Sequence, residues 1–321
     1  MSPIYCRGIR VLFVLLCCLG ATLAQAQPFQ FVALGDLPYG APDTAYAPYR
    51  QLIGGINKLA PSFSVHIGDI KSGSTRCSDE EFAAQRAHFG LFEGAVVYTP
   101  GDNEWTDCHR ANNGGYDPIE RLQALRTLFF TPGQSLGQKP LAVQNQSTLM
   151  PAYGKFVENQ RWLFGEVLFV TLHIIGSNNN FEVRDARAVA EFMERDRANV
   201  EWIKAAFEQA QRAGVKALVF TMQADVFESK SDIDPFPGYS GFRTSIGETL
   251  LPLTARSKLP VLLIHGDSHN FRFDQPFRFD RKPLKTLTRL IVPGESDVRA
   301  VQVSIETSLK NPFGVRIVEP D

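Results

Sequence analysis

The sequence has little that could cross a membrane. Its first long uncharged apolar run, Val11 to Leu23, is shorter than the roughly 20 residues that a membrane-spanning helix needs, and no later run is longer. Arg7 and Arg10 precede this run and Ala24-Gln25-Ala26 follows it, which is the pattern of a cleavable signal peptide. We therefore expect cleavage near Ala26 and a periplasmic or secreted mature chain without a stable membrane anchor.

Cysteine is also scarce, with five residues in 321. Cys6, Cys17 and Cys18 lie within the expected signal peptide, so the mature chain keeps Cys77 and Cys108. An even number of cysteines in an oxidising compartment favours a disulfide between them. Two separate buried thiols are the alternative.

Neither a basic surplus nor a nucleotide-binding motif is present. The 33 lysines and arginines are balanced by 34 acidic residues without a basic stripe, so we do not expect nucleic acid as the main partner. The motifs G-x-x-x-x-G-K-[ST] and G-x-G-x-x-G are absent from the sequence. Gly238-Tyr239-Ser240-Gly241 approaches a serine-nucleophile turn but lacks its second spacing, and no strand precedes it, so an ordinary turn is favoured.

Apolar β-branched runs alternate with segments of helical periodicity, which predicts an α/β protein. The predicted strands are Phe29 to Leu34, Ser62 to Ile67, Ala95 to Thr99, Val167 to Ile175, Lys216 to Thr221 and Pro260 to His265. The predicted helices are Tyr46 to Leu59, Asp79 to Phe92, Asp117 to Phe130 and Asp185 to Ala213. Three further strands, Leu287 to Val292, Val298 to Ile305 and Val315 to Val318, follow without helices, which predicts antiparallel strands at a sheet end. No Pro/Gly/Ser-rich linker long enough to separate two domains is present, and the loop-like stretch Thr131 to Met150 lies inside the pattern, so we expect one domain over residues 27–321.

Every Gly-Asp dipeptide follows one of these apolar strands. The four pairs are Gly35-Asp36, Gly68-Asp69, Gly101-Asp102 and Gly266-Asp267. The carboxyl ends of strands in an open α/β sheet form the ligand crevice, so these aspartates are expected to converge there. Converging carboxylates repel one another unless cations neutralise them, which indicates a metal site. A single Gly-Asp could instead be a turn with a helix cap.

At these residues the sequence resembles the calcineurin-like metallophosphoesterases, which include the purple acid phosphatases. The family pattern runs D-x-H, G-D-x-x, G-N-H-D/E, a lone His and G-H-x-H. The matching segments here are Gly35-Asp36-Leu37-Pro38, Gly68-Asp69-Ile70-Lys71, Pro100-Gly101-Asp102-Asn103-Glu104, Met222-Gln223-Ala224 and Gly266-Asp267-Ser268-His269. The resemblance implies a four-layer αββα sandwich of two mixed sheets flanked by helices.

It also implies two divalent metal ions. Asp36 and His269 would bind the first ion and Asp69 would bridge both, while the second ion would take Asp102, Gln223 and Asp267. Imidazoles of the family pattern are replaced by Pro38, Asn103, Gln223 and Asp267. An oxygen-rich set favours Mg²⁺, Mn²⁺ or Ca²⁺, although zinc or iron is also compatible with the family. A shift of one residue would make Asn103 the ligand in place of Asp102, with Glu104 as its neighbour.

The remaining site residues are less directly indicated. Asn103 stands where the family has a histidine beside the leaving group, so His109 is a candidate substitute and Arg110 a candidate phosphate contact. A surface loop fixed by Cys108 is the alternative for both. His173 is a candidate catalytic side chain at the crevice edge, with a core histidine as the alternative, and Asn179 is a candidate substrate contact. Tyr39 is a candidate replacement for the histidine lost at Pro38. His265 would support the site if its segment stays extended. His66 and His88 are expected in the core or on the surface.

The resemblance therefore predicts hydrolysis of a small phosphate mono- or diester, in which a hydroxide held by the metal ions attacks phosphorus in line. The alternative is a non-catalytic metal-binding protein that has kept the fold while losing histidines. The substrate and the oligomeric state stay open at this point.

Overall fold

Two large β-sheets dominate the computed structural model, which describes Met1, residues 27–227, Asp234 and residues 236–321. Apart from Met1, the expected signal peptide lies outside the described residues. The strands are β1 (Phe29–Leu34), β2 (Ser64–His66), β3 (Ala95–Tyr98), β4 (Leu136–Gly137), β5 (Gln144–Asn145), β6 (Gln160–Phe164), β7 (Val167–Thr171), β8 (Ala217–Thr221), β9 (Val261–His265), β10 (Arg272–Asp274), β11 (Arg278–Phe279), β12 (Lys282–Pro283), β13 (Leu287–Ile291), β14 (Ala300–Ile305) and β15 (Phe313–Val318).

The helices are α1 (Pro42–Leu59), α2 (Asp79–Phe89), α3 (Pro118–Phe129), α4 (Gln146–Leu149), α5 (Gly176–Asn179), α6 (Ala186–Ala213) and α7 (Leu251–Ser257). A π-helical segment, Arg243–Leu250, leads into α7. Several helices begin at side chains that accept hydrogen bonds from the first turn: Ser78 for α2, Asp117 for α3 and Asp185 for α6. Gly214 ends α6 with a φ of 65°.

The first sheet has six strands in the order β15-β14-β1-β2-β3-β4, and the second has seven in the order β10-β13-β9-β8-β7-β6-β5. In the first sheet β1, β2 and β3 are parallel, and in the second β7, β8, β9 and β13 are parallel. Antiparallel strands complete both sheets, so both are mixed. A separate hairpin pairs β11 with β12.

Three buried apolar clusters separate four layers. The first joins the outer face of the first sheet to α1, α2 and α3, and includes Val32 and Leu34. The second lies between the sheets, where Phe31 of β1 meets Phe169 of β7. The third joins the outer face of the second sheet to α6 through residues such as Trp202. Since neighbouring residues of a strand point to opposite faces, Phe31 and Val32 enter different clusters. The predicted αββα sandwich is confirmed.

The last third of the chain differs in part from its predicted arrangement. β14 and β15 form the predicted antiparallel end of a sheet, but β13 lies in the other sheet and is parallel to β9. Among elements that were not predicted, Gln160–Phe164 forms β6 and residues 243–257 are helical. The loop-like stretch Thr131 to Met150 contains β4, β5 and α4. Across the described ranges, no helix has both the length and the apolar character that a membrane span would require.

Candidate metal centre

The acidic residues follow strands of both sheets. Asp36, Asp69 and Asp102 come after the adjacent parallel strands β1, β2 and β3, while Asp267 comes after β9 of the facing sheet. The backbone N–H of Asp267 lies 3.2 and 3.3 Å from the two carboxylate oxygens of Asp36. The carboxyl ends of strands from both sheets thus face a shared crevice, and the four aspartates come from two sheets rather than one.

Asp36, Asp69 and His269 form the tightest potential ligand set. Each offers one ligand atom, and these atoms all lie within 4.8 Å of one another. The carboxylates of Asp36 and Asp69 are 0% and 2% exposed, whereas His269 is partly exposed. The Nε2 atom of His269 lies 3.9 Å from Asp36 Oδ1, and its Nδ1 atom lies 3.3 Å from Glu295 Oε2. A carboxylate on the second ring nitrogen is the usual orientation partner of a metal-binding histidine.

The backbone at these positions is in the left-handed region. The φ angles are 52° at Asp36, 53° at Asp69, 70° at Asp267 and 58° at His269. Non-glycine residues adopt this conformation at a cost, aspartate and histidine more readily than most, and such residues tend to cluster at functional sites. A Cβ atom at Gly266 would lie 2.1 Å from Asp36 Oδ2, so glycine is required there for the close approach of β9 to Asp36.

Burial and mutual repulsion disfavour the charged form of these carboxyls. Burial raises the pKa of Asp36 well above its usual range, and the carboxylates of Asp267 and Asp102 raise it further. Burial likewise raises the pKa of Asp69, with Asp102 and Glu104 adding to the effect. A bound divalent cation would reverse this preference, because it stabilises the deprotonated form.

Asp102 is held by an unusual turn that contains α5. Ser177, Asn178, Asn179 and Asn180 have φ angles of 50°, 52°, 55° and 59°. Ser177 Oγ donates to Asp102 Oδ2 over 2.6 Å. The predicted substrate contact Asn179 has a fully buried side chain, whose Oδ1 accepts from Arg195 and whose Nδ2 donates to Gly241 O. Asn179 therefore fixes the turn from within, and Ser177 is the residue that reaches the cluster.

Amide groups lie at two of the positions that the sequence resemblance aligned with imidazoles. Gln223 Nε2 lies 3.2 Å from both Asp69 Oδ2 and Asp267 Oδ1. Asn103 Nδ2 donates to Asp69 Oδ2 over 2.8 Å and lies 2.6 Å from the hydroxyl of Tyr39. Tyr39 donates in turn to Asp69 Oδ2 over 2.7 Å, so it joins the site directly beside the position of Pro38.

The Cys77–Cys108 disulfide predicted from the sequence is present, and it borders the site. Both sulfur atoms lie close to the carbonyl oxygen of Asn103, at 3.7 and 3.8 Å. His109 and Arg110 follow Cys108 and line a cavity of about 400 Å³ that Ser177 also lines. Ser177 thereby connects the cavity to the acidic cluster. Arg110 is paired with Asp107 at 2.6 Å, and His109 Nδ1 lies 2.6 Å from the carbonyl oxygen of Thr106.

Other candidate histidines lie in the core. His173 is fully buried, and its Nδ1 atom lies 2.8 Å from Glu158 Oε1. Its position matches a hydrogen-bonded core histidine rather than a catalytic side chain at the crevice edge. His265 is also buried, and the positive φ of Asp267 shows that its segment does not stay extended, so the condition for a supporting role is not met. His66 and His88 are buried among aromatic rings, as expected.

Glu104 supports the loops that follow β2 and β3. The sequence pattern indicated it only as the neighbour of Asn103. Its Oε1 atom accepts from the backbone N–H groups of Gly101 and Asp69 and from the hydroxyl of Tyr98, at 2.7, 3.1 and 2.8 Å. The fully buried Lys71 contributes a compensating positive charge. No local sequence pattern indicates the contacts of Ser177 and Glu295 with the site, because these contacts join distant segments of the chain.

No protein-family model matches the chain, and no curated protein matches it. Among solved structures the chain is similar to GAP50, described as the anchor in the inner membrane complex of Plasmodium. The two share 11% identity with a TM-score of 0.55, and the match covers 92% of this chain and 85% of that chain. A hypothetical protein from Thermus thermophilus has 10% identity and a TM-score of 0.39, over 92% of this chain and 100% of that chain. The likeness to GAP50 concerns the fold alone, and the second score is too low to support a common fold.

Proposed function

We propose that the chain is a metal-dependent phosphoesterase related to the calcineurin-like enzymes, acting on a phosphate mono- or diester. The observation that supports this proposal is the ligand set of Asp36, Asp69 and His269, whose ligand atoms lie within 4.8 Å of one another. The set stands at the carboxyl ends of parallel strands, which is where α/β proteins bind ligands.

The residues present fit a divalent cation. Two buried carboxylates with raised pKa values favour a cation that removes their protons, and a single imidazole beside them is compatible with Mg²⁺, Mn²⁺ or Ca²⁺ as well as with zinc or iron. Asp36, Asp69 and His269 would hold it. When bound, such a cation supplies Lewis-acid polarisation of a phosphoryl oxygen.

The protein groups around this set have separate tasks. Glu295 orients the His269 ring, and Glu104 fixes the backbone of Asp69. Asn103 cannot act as an acid, so its amide is suited to hydrogen bonding rather than to proton transfer. The cavity beside Ser177 is suited to the organic part of the substrate, with His109 and Arg110 on its wall. His109, an imidazole on the cavity wall, is the side chain that we propose to protonate a leaving group.

We also propose a periplasmic or secreted location. The disulfide supports it, because such bonds persist mainly in oxidising compartments. A small phosphate ester is the proposed partner, and nucleic acid is not.

The test is hydrolysis of p-nitrophenyl phosphate and its bis-ester by mature protein, with and without added Mn²⁺. We expect metal-dependent turnover in the wild type and a loss of at least about 100-fold in Asp69→Asn, since even residues that only orient metal ligands contribute 10- to 100-fold. Glu208→Gln, an exposed change on α6, is the matched control and should retain activity. Equal, metal-independent turnover in all three proteins would instead support the non-catalytic metal-binding alternative.

A further inference from the structure

The orientation of the Gln223 carboxamide is fixed by the backbone. Its Oε1 atom lies 2.5 Å from the N–H of Gly176, and a backbone N–H can only donate, so the oxygen must face Gly176. The NH₂ group then points to Asp69 and Asp267, 3.2 Å from one oxygen of each. Gln223 is fully buried, so solvent offers no other partner for the amide. An amide nitrogen has no available lone pair, and Gln223 thus presents a donor where a ligand was predicted.

Gly176 is itself held in place. A Cβ atom there would lie 2.6 Å from Asp267 Oδ1 and 3.0 Å from Asp102 Oδ2, so only glycine allows the backbone to approach this closely. The following turn is fixed by Asn179, whose Oδ1 accepts from the N–H of Ile175 and from the buried Arg195 guanidinium. The N–H that orients Gln223 therefore belongs to a rigid segment.

Neutral donors also satisfy the other carboxylates on this side of the site. Asp102 Oδ2 accepts from Ser177 Oγ over 2.6 Å, and Asp267 Oδ2 accepts from the backbone N–H of Asp225 over 3.0 Å. These are the residues that would have bound the second ion. By contrast, within the described part of the chain the Asp36 carboxylate accepts long hydrogen bonds from the N–H of Asp267 and lies 3.9 Å from His269 Nε2. Asp69 already accepts hydrogen bonds from Tyr39, Asn103 and Gln223, so among the described residues the demand for a cation lies on the side of Asp36 and His269.

We infer that this chain binds one divalent cation rather than two, and that the Gln223 carboxamide takes the place of the second cation between Asp69 and Asp267. The inference rests on the metal site proposed above, but it adds that the second position is closed by hydrogen bonds. Replacing NH₂ by oxygen at residue 223 would place a third carboxylate beside Asp69 and Asp267. Repulsion among the three would then create a demand for a second cation.

The experiment counts Mn²⁺ bound to mature, metal-stripped protein by calorimetric titration, with electron paramagnetic resonance of the loaded protein. We expect one ion and an uncoupled Mn²⁺ spectrum for the wild type. Gln223→Glu, which keeps an oxygen facing Gly176, is expected to bind two ions with a spin-coupled spectrum. Gln223→Met, of similar length and without charge, is the matched control and should stay at one ion.

Two ions in the wild type would overturn the inference while leaving the proposed phosphoesterase intact. No bound ion in the wild type would instead remove the metal site on which that function depends. One ion in both the wild type and Gln223→Glu would refute the role of Gln223. Should Gln223→Glu not fold, as judged by circular dichroism, the wild-type count alone decides between one ion and two.

Discussion

Removing the Cys77–Cys108 disulfide is expected to cost much of the stability of the protein. The bond joins residues 31 positions apart, and the loop-closure entropy for that length corresponds to about 4 kcal/mol at 25 °C. Cys108 lies in the turn after Asp102 and Asn103, so the bond also holds this part of the site against the start of α2. We expect Cys77→Ala/Cys108→Ala to lose about 2 to 4 kcal/mol of unfolding free energy.

The assay is urea unfolding of the mature protein followed by circular dichroism, with the two single variants as controls. Each single variant already lacks the bond, so each should lose nearly as much stability as the double variant. Two small single effects that add up to the double effect would indicate packing losses alone. That outcome would refute the argument that chain entropy of the closed loop is the source of the stability.

Two further predictions concern burial and close packing. Burial lowers the pKa of His66 to about 3 and that of His173 to about 4, so neither imidazole should titrate between pH 8 and 5 in a nuclear magnetic resonance experiment. Because the unfolded chain takes up these protons near pH 6.5, each histidine lowers the unfolding free energy as the pH falls below 6.5, by about 2 kcal/mol at pH 5. A titration midpoint near 6.5 for either histidine in the folded protein would contradict this prediction. Gly266→Ala places a methyl group 2.1 Å from Asp36 Oδ2 and should weaken Mn²⁺ binding at least about 10-fold in a calorimetric titration, whereas Gly238→Ala, with nothing within 4 Å of its Cβ, is the control and should leave Mn²⁺ binding unchanged.

The layered architecture was accessible from the sequence because hydrophobic periodicity is a local property. The strands β1, β3, β8 and β9 and the helices α3 and α6 lie within a residue or two of their predicted bounds. Capping side chains such as Asp117 and Asp185 mark helix starts in the sequence as clearly as they do in the structure.

Pairing between distant strands was less accessible. β13 carries the same apolar pattern as β14, and periodicity does not reveal which sheet a strand joins. The pairs β11–β12 and β3–β4 contain two-residue strands, too short for any periodic signal. The helical segment over residues 243–257 was missed, since it begins as a π-helix and contains Pro252.

The site shows the same limit. The four Gly-Asp pairs were informative because each marks the end of a strand, and the structure gathers them around one crevice. The left-handed turn at Ser177, the orientation of Gln223 and the partner of His269 depend on contacts between residues 26 to 75 positions apart in the sequence. His173 lies near the end of its strand, as expected, but its environment is determined by Glu158, which no local pattern indicates.

The interlocking of the two ends of the chain around Asp36 has a consequence for biosynthesis. Asp267, whose N–H contacts the Asp36 carboxylate, is 231 positions away in sequence, and Glu295 N–H donates to the carbonyl oxygen of Asp36 over 2.9 Å. A nascent chain that has exposed only its first half carries Asp36 and Asp69 without His269. The three residues of the proposed cation site therefore come together only when nearly the whole polypeptide has emerged and folded.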